Sequence, residues 1–269
     1  MSEIDSFISN KFSIYIESFE MALKSYLGEI LSFKMLSTSI YCNDYSQFVN
    51  FKKQFPDKAT LKSDSQSDIN RKYSFRVYDM LPLNQMYSSN MTVIAAPANI
   101  ISNRIRAINK ILESNRNSGT SSNISIQHCY DKGEIPPIWI VIHTLSLGDL
   151  LALFNMLKKN DRVEFCKYIL RKKRVKSVDI AGVSTKVNEI RKIRNTINHY
   201  EPIIPYLMKY VDDGKKDTII SVVNVIKKHN KCSNIKYPVI KRSKIWELTT
   251  TAYNRKYIVF IDELIYKML

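Results

Sequence analysis

Apolar residues recur along the first part of the chain at steps of three and four: Phe12, Tyr15, Ile16, Phe19, Leu23, Tyr26, Leu27 and Ile30. That spacing lies on one side of a 3.6-residue helix and predicts a helix from Phe12 to Ile40 with one broad buried face. A polar stretch from Lys52 to Lys72 follows, holding Pro56 and the run Ser63-Asp64-Ser65-Gln66-Ser67-Asp68, and reads as a loop or mobile insertion. Tyr73 to Tyr87 has no clear period, so helix and strand both stay open. Helical spacing resumes at Ile100, Ile101, Ile105, Ile108 and Leu112 and predicts a helix over Ala95 to Leu112. Ser, Asn and Gly then dominate a second loop, Ser114 to Asn123.

Pro136-Pro137 opens a strongly apolar run, Ile138 to Leu157. Its β-branched and aromatic start would suit a strand, but about twenty residues suit a buried helix with proline in its first turn. Shorter helical patterns follow over Asp161 to Arg171, Thr185 to Tyr200, Ile203 to Tyr210 and Thr218 to Lys228. Ser184 is the expected N-cap of the second of these, and Pro202 stops it at about Glu201. The tail, Lys244 to Leu269, carries the apolar run Tyr257 to Ile265 and reads as a helix, with a strand as the alternative. The pattern predicts an all-α protein: one compact domain over residues 1–269, with an insertion at 51–94 and a C-terminal extension at 213–269.

Composition changes this picture chiefly through charge. Forty-one Lys and Arg stand against 25 Asp and Glu, a formal net charge of +16. So large an excess costs self-repulsion and calls for a polyanionic partner; solvated faces in a Lys-rich protein are the plainer alternative. Basic residues gather at Lys158 to Lys176, Arg191 to Arg194 and Lys227 to Lys244, none of them a clean amphipathic anchor, so nucleic acid is expected and a membrane is not. Polar and acidic residues interrupt the apolar ones from Glu3 to Glu20, unlike a signal peptide, and no apolar run reaches the roughly 18 residues of a membrane span. Cys42, Cys129, Cys166 and Cys232 are scattered without C-x-x-C spacing and read as inert thiols of a cytoplasmic protein.

The segment V-N-E-I-R-K-I-R-N-T-I-N-H-Y, Val187 to Tyr200, concentrates the candidate chemistry. At 100° per residue its apolar stripe is Val183, Val187, Ile190, Ile193 and Ile197, and the other side carries Arg194, Asn198, Arg191, Asn195, Asn188 and His199 in angular order. Arg194 sits nearest the stripe. This arc of donors and one titratable ring, with no carboxylate in it, suits an anionic ligand: Arg offers a planar fork to phosphate oxygens and His exchanges protons near neutral pH. Taken alone, His199 would more often be a helix-end residue favoured by the macrodipole, and Arg194 a surface or ion-pair residue. His143, inside the apolar run, is expected to be a hydrogen-bonded core residue, and Trp139 and Tyr26 to be core.

Arg194-Asn195-x-x-x-His199 resembles the Arg-x4-His signature of HEPN ribonucleases. Pro137-Ile-Trp-Ile-Val-Ile-His-Thr-Leu-Ser-Leu-Gly-Asp-Leu resembles the P-x-W…G helix that precedes it in Abi-family (AbiD/AbiF-like) abortive-infection proteins. Ile16-Glu-Ser-Phe-Glu-Met-Ala-Leu-Lys-Ser-Tyr-Leu resembles their IE-x-ALRS helix, with Lys24 where Arg is common. The resemblance implies a HEPN-like helical bundle and a metal-independent, cofactor-free endoribonuclease of phage defence, active as a homodimer that joins two motifs. Carried onto this chain, His199 would handle protons for attack of the ribose 2′-OH on phosphate, Arg194 would stabilise the phosphorane charge, and Asn195 would orient substrate or His199. Some relatives of the AbiF type bind a structured noncoding RNA encoded beside them, which the charge of this chain makes credible. Arg191 and Asn198, with the Arg171-Lys172-Lys173-Arg174 run, are then candidate RNA contacts. A non-catalytic RNA-binding HEPN module is the alternative.

Overall fold

The computed structural model describes residues 3–36, 80–115, 121, 123–229 and 255–268. Most of the expected insertion (51–79) and part of the expected extension (230–254) lie outside them, as do Cys42 and Cys232. The protein is all-α. Its helices are α1 (Glu3–Leu36), α2 (Ala98–Asn115), α3 (Ile124–Asp131), α4 (Ile138–Val141), α5 (Leu147–Phe154), α6 (Lys159–Leu170), α7 (Ser177–Asn198), α8 (Ile203–Asp212), α9 (Lys216–Lys227) and α10 (Arg255–Met268). A two-stranded antiparallel hairpin, β1 (Gln85–Tyr87) with β2 (Val93–Ala95), is the exception among the described residues and resolves the ambiguous end of the Tyr73 to Tyr87 stretch. The tail run is helical, as α10. Contacts divide the chain into two compact units, Met1–Ala22 with Thr185–Leu269, and Leu23–Ser184, so α1 and α7 contribute residues to both.

In the first unit Ile8, Phe12, Ile16 and Phe19 of α1 are buried, as are Ile190 and Ile193 of α7, Leu207 of α8, Val222 and Ile226 of α9 and Leu264 of α10. Each such side chain contributes roughly 1.5–3 kcal/mol on leaving water. Helix α8 begins after Pro202, which offers no side-chain acceptor for the orphan N–H groups there. The buried Asp5 of α1 supplies one instead, its Oδ1 accepting from Ile204 N–H at 2.9 Å. Part-way along α1, its buried face is tied to the tail, where Tyr15 Oη donates to the Met268 carbonyl at 2.5 Å.

The second unit corrects the expected long helix over Ile138 to Leu157. The run breaks into α4, a 3₁₀ turn (Ile142–Thr144) and α5, with Leu145 extended between them. A capping box causes the restart: Ser146 Oγ accepts from Asp149 N–H at 3.3 Å, while Asp149 Oδ2 accepts from Ser146 N–H at 3.1 Å. Asp149 is fully buried and receives Lys110 at 2.5 Å and Arg106 at 3.1 Å, both from α2. Trp139, expected in the core, is 47% exposed, because one-turn α4 buries only Ile138 and Val141. Gly28 of α1 makes the close approach to this segment; a β-carbon there would lie 3.2 Å from Ile142 Cγ2. Tyr26 is half-buried, stacked on Tyr168 with ring centres 4.5 Å apart. Cys129 and Cys166 are both buried.

Arg104 of α2 is wholly buried and donates to the carbonyls of Leu83 at 2.7 Å, Gln85 at 2.6 Å, Pro82 at 3.3 Å and Asn155 at 3.0 Å. One guanidinium thus holds the start of the hairpin to the end of α5. Burial, then the charge of Arg162, lowers its pKa to about 10, so it keeps its charge near neutrality.

Among the described residues, four helices end in the same motif, with bonds from C′ to C2 and from C″ to C3. The pairs are Gly133→Tyr130 with Glu134→Cys129, Arg171→Tyr168 with Lys172→Lys167, Tyr200→Ile197 with Glu201→Thr196, and Gly214→Val211 with Lys215→Tyr210. The motif places C′ in the left-handed region, where a β-carbon costs roughly 1–2 kcal/mol and glycine is normal. Gly133 and Gly214 fit that rule, while Arg171 (φ 49°) and Tyr200 (φ 57°) break it.

Candidate functional site

Helix α7 starts at Ser177, seven residues before the expected cap. Asp179 organises that start, its Oδ2 accepting from Lys176 N–H at 3.0 Å and its Oδ1 from Lys172 Nζ at 2.8 Å. Ser184 is therefore mid-helix, and its hydroxyl meets Asn155 Oδ1 at 2.8 Å. The predicted stripe is present: Val183, Val187, Ile190 and Ile193 are buried and Ile197 is half-buried.

Arg194 emerges at the rim of this stripe, as its angle requires. Its Nε lies 3.2 Å from Oε2 of the buried Glu20 on α1. A groove of about 80 Å³ opens beside it, lined by Ser13, Ile16, Glu17, Arg194, Ile197 and Asn198. That volume takes a phosphate-sized group and falls well short of a whole nucleotide. Asn195 and His199 do not line the groove; both are exposed, around the helix from Arg194. Five residues of helix separate Arg194 and His199 by about 140° and about 7.5 Å along the axis. Within one chain the guanidinium and the imidazole therefore serve different faces. Arg191 is held along the helix, donating to Asn188 Oδ1 at 3.0 and 3.3 Å.

The turn after α7 is fixed from both sides. His199 caps the helix, Tyr200 takes the left-handed conformation, and α8 folds back after Pro202. Glu189 of α7 then accepts from Tyr210 of α8 and from Lys192 Nζ at 2.9 Å, while Tyr206 and Tyr210 share a hydrogen bond of 2.9 Å. Burial first, and the bond to Glu189 second, drives the Tyr210 pKa far above its usual range, so this clamp keeps its phenol protons.

The family model for Abi-like proteins matches residues 1–205. The chain belongs to the Abi-like protein family. The match runs from α1 into the first turn of α8, so both sides of the Glu20–Arg194 contact fall within it. The family points to abortive infection, a form of phage defence. No curated protein and no solved structure matches the chain.

In this Abi-like chain the other predicted contacts are spread out. Arg171, Lys172, Lys173 and Arg174 are all exposed between α6 and α7, in the unit Leu23–Ser184, whereas Arg194, Asn195, Asn198 and His199 belong to the other unit. His143 is half-buried on the 3₁₀ turn and its ring bonds to none of the described residues, which corrects the expected hydrogen-bonded core role. Burial, aided by the charge of Lys24, lowers its pKa. Glu20, Glu17 and Ser13 escaped the sequence reading, which saw no carboxylate near Arg194. The signal was present, since Glu20 stands four residues after Ile16 and three before Leu23, on the buried stripe of α1, where a carboxylate requires a partner. Among the described residues no group of three His, Cys, Asp or Glu could hold a metal ion, and no helix is long and apolar enough to cross a membrane.

Proposed function

We propose that this Abi-like protein is a HEPN-type endoribonuclease of phage defence, metal-independent, acting in the cytoplasm as a homodimer and associated with a structured noncoding RNA. The observation that carries the reading is the pairing of an oriented Arg194 with an exposed, solvent-facing His199 on one helix end. Glu20 fixes the guanidinium at the rim of a phosphate-sized groove, and His199 is left open to take and return a proton. In the reaction the ribose 2′-oxygen bonds to the adjacent phosphorus, its proton passing to His199, and the P–O5′ bond breaks. The leaving 5′-oxygen takes a proton from an imidazolium, and Arg194 stabilises the phosphorane charge between these steps. Asn195, on the exposed face it shares with His199, orients substrate or the ring.

The test incubates purified protein with host RNA in the presence of chelator. Cleavage leaving 2′,3′-cyclic phosphate ends is expected, with His199→Ala and Arg194→Ala each inactive yet helical by circular dichroism. Cleavage that requires added Mg²⁺, or that survives His199→Ala, would overturn the mechanism. A non-catalytic RNA-binding module is the second reading. It is favoured by the separation of Arg194 and His199, which lie about 140° apart around α7, so that no single chain sets both on one phosphate. It predicts tight RNA binding without cleavage by the wild type.

A further inference from the structure

The three non-glycine residues with positive φ among the described residues divide by what their side chains gain. Met91, in the turn of the β1–β2 hairpin, is 7% exposed and packs into the core, which accounts for its conformation. Tyr200 is 86% exposed, its ring packs on no aromatic described residue, and its hydroxyl makes no hydrogen bond to one. The same helix-end motif is closed by glycine at Gly133 and Gly214, so this backbone position neither needs nor favours a side chain. A bulky residue persisting at a strained position with most of its surface open to solvent points to an external contact. The strain is also rigid, since bonds from Tyr200 N–H to Ile197 and from Glu201 N–H to Thr196 fix the Cα–Cβ direction beside His199.

We infer that Tyr200 is a stacking platform for an unpaired base of the RNA proposed above. The inference rests on that reading and adds a substrate class to it: single-stranded or looped RNA, in which a base can leave its neighbours. An aromatic face accepts any base, so the platform positions the strand without reading sequence, while basic side chains of the protein hold the backbone. The surplus of 16 positive charges favours this occupant over a protein surface. Tyr200 acts as a positioning residue that holds the nucleotide next to His199. Arg171, the other exposed residue in this conformation, heads the basic Arg171 to Arg174 run and keeps a charged side chain at a glycine position in the same manner.

The test uses the full-length protein and a single-stranded RNA oligonucleotide containing 2-aminopurine, whose fluorescence falls on stacking. The wild type and Tyr200→Phe are expected to quench the probe and bind it equally. Tyr200→Gly should melt at a higher temperature than the wild type, bind about tenfold more weakly and lose the quench. Equal binding and quench by Tyr200→Gly would overturn the platform while leaving the nuclease reading intact. Unchanged RNA binding with a shift toward monomer in sedimentation would replace it with a protein–protein contact. A wild type that binds no RNA at low salt would overturn both readings together.

Discussion

Arg194 Nε and Glu20 Oε2 lie 3.2 Å apart, linking the last turns of α7 to the middle of α1. The carboxylate is buried and the guanidinium about one-third exposed, so the contact aims a cation at the groove more than it stabilises the fold. Replacing the charge but keeping the shape separates these roles. Glu20→Gln should bind RNA more tightly at low salt, because a negative charge beside the phosphate is gone. It should cleave at least about tenfold more slowly, because Arg194 is no longer held in place. Binding isotherms and single-turnover rates on one RNA check this, and a parallel change in both would count against the positioning role.

Asp149 supplies a pH dependence. Burial pushes its pKa up, but hydrogen bonds from Lys110, Ser146 and Arg106 and the charge of Lys110 outweigh burial, and the net shift is downward. The ionised form is therefore favoured by the fold. Its contribution is complete above the unfolded carboxylate value of about 4 and is lost as pH falls through the lower folded value. Asp149→Asn should cost about 2 kcal/mol at neutral pH, less than a fully buried pair because Arg106 and Lys110 can return to water. Urea titrations at neutral pH and near pH 3.5 should show the gap between wild type and variant shrinking in acid.

Arg104 tests the second unit. Arg104→Met removes the donor shared by four carbonyls from the hairpin and the end of α5, leaving those acceptors without it. A loss of about 3–5 kcal/mol is expected. Arg104→Lys should recover only part of it, since an ammonium cannot span the same fork. Denaturant midpoints decide the matter, and a variant as stable as the wild type would remove the clamp from the account of this unit.

What the sequence showed depended on whether the determining signal was periodic or local. Stripes such as Ile190–Ile193–Ile197 recur at the helix period, so α1, α2, α6, α7, α8 and α9 could be placed with shifted ends. The break inside Ile138 to Leu157 was hidden because long apolar stretches run on both sides of it, although Ser146-x-x-Asp149 carries the capping pattern that causes it. Helix α3 lay beyond a Ser/Asn loop whose last member, Asn123, proves to be its N-cap, accepting from Ser125 and Ile126 N–H. At the site, Arg194 on the rim and His199 on the opposite face followed from angles within one helix. The Glu20 contact did not, because it joins helices far apart in the chain and only its misplaced charge on a buried stripe hinted at it. Strain at Arg171 and Tyr200 was illegible, since neither residue type suggests a left-handed backbone.

Charge yields a prediction that is independent of catalysis. Each phosphate neutralised should contribute about 0.7 to the slope of log affinity against log salt for a single strand. Reversing Arg171, Lys172, Lys173 and Arg174 together should flatten that slope, because all four are exposed and none supports the core. Lys172 is also paired with Asp179 at the start of α7, so Lys172→Glu alone should lower helix stability slightly as well. A wild-type affinity unaffected by salt would favour a basic surface that serves only solubility.

Assembly is the strictest test of the proposed chemistry. In one chain Arg194 and His199 are about 140° apart on α7 and serve different faces, and a single imidazole must otherwise act as both base and acid. One Arg-x4-His motif is present in this segment, so a second proton carrier would come from another copy. Two-fold symmetry supplies it with no new sequence, by setting the two α7 ends against each other as a self-complementary contact. Arg194 of one protomer can then share a phosphate with His199 of its partner. A C2 dimer with Thr185 to Tyr200 in its interface is expected at micromolar concentration. Dimers pairing one His199→Ala subunit with one wild-type subunit should lose most activity instead of half. Dimers pairing Arg194→Ala with His199→Ala subunits should likewise stay inactive, because the shared cleft then holds a single imidazole. Recovery of about half the wild-type rate in that mixture, with none in either homodimer, would instead show two separate clefts, each built from Arg194 of one protomer and His199 of the other. A monomer in sedimentation, with and without RNA, would rule the shared cleft out.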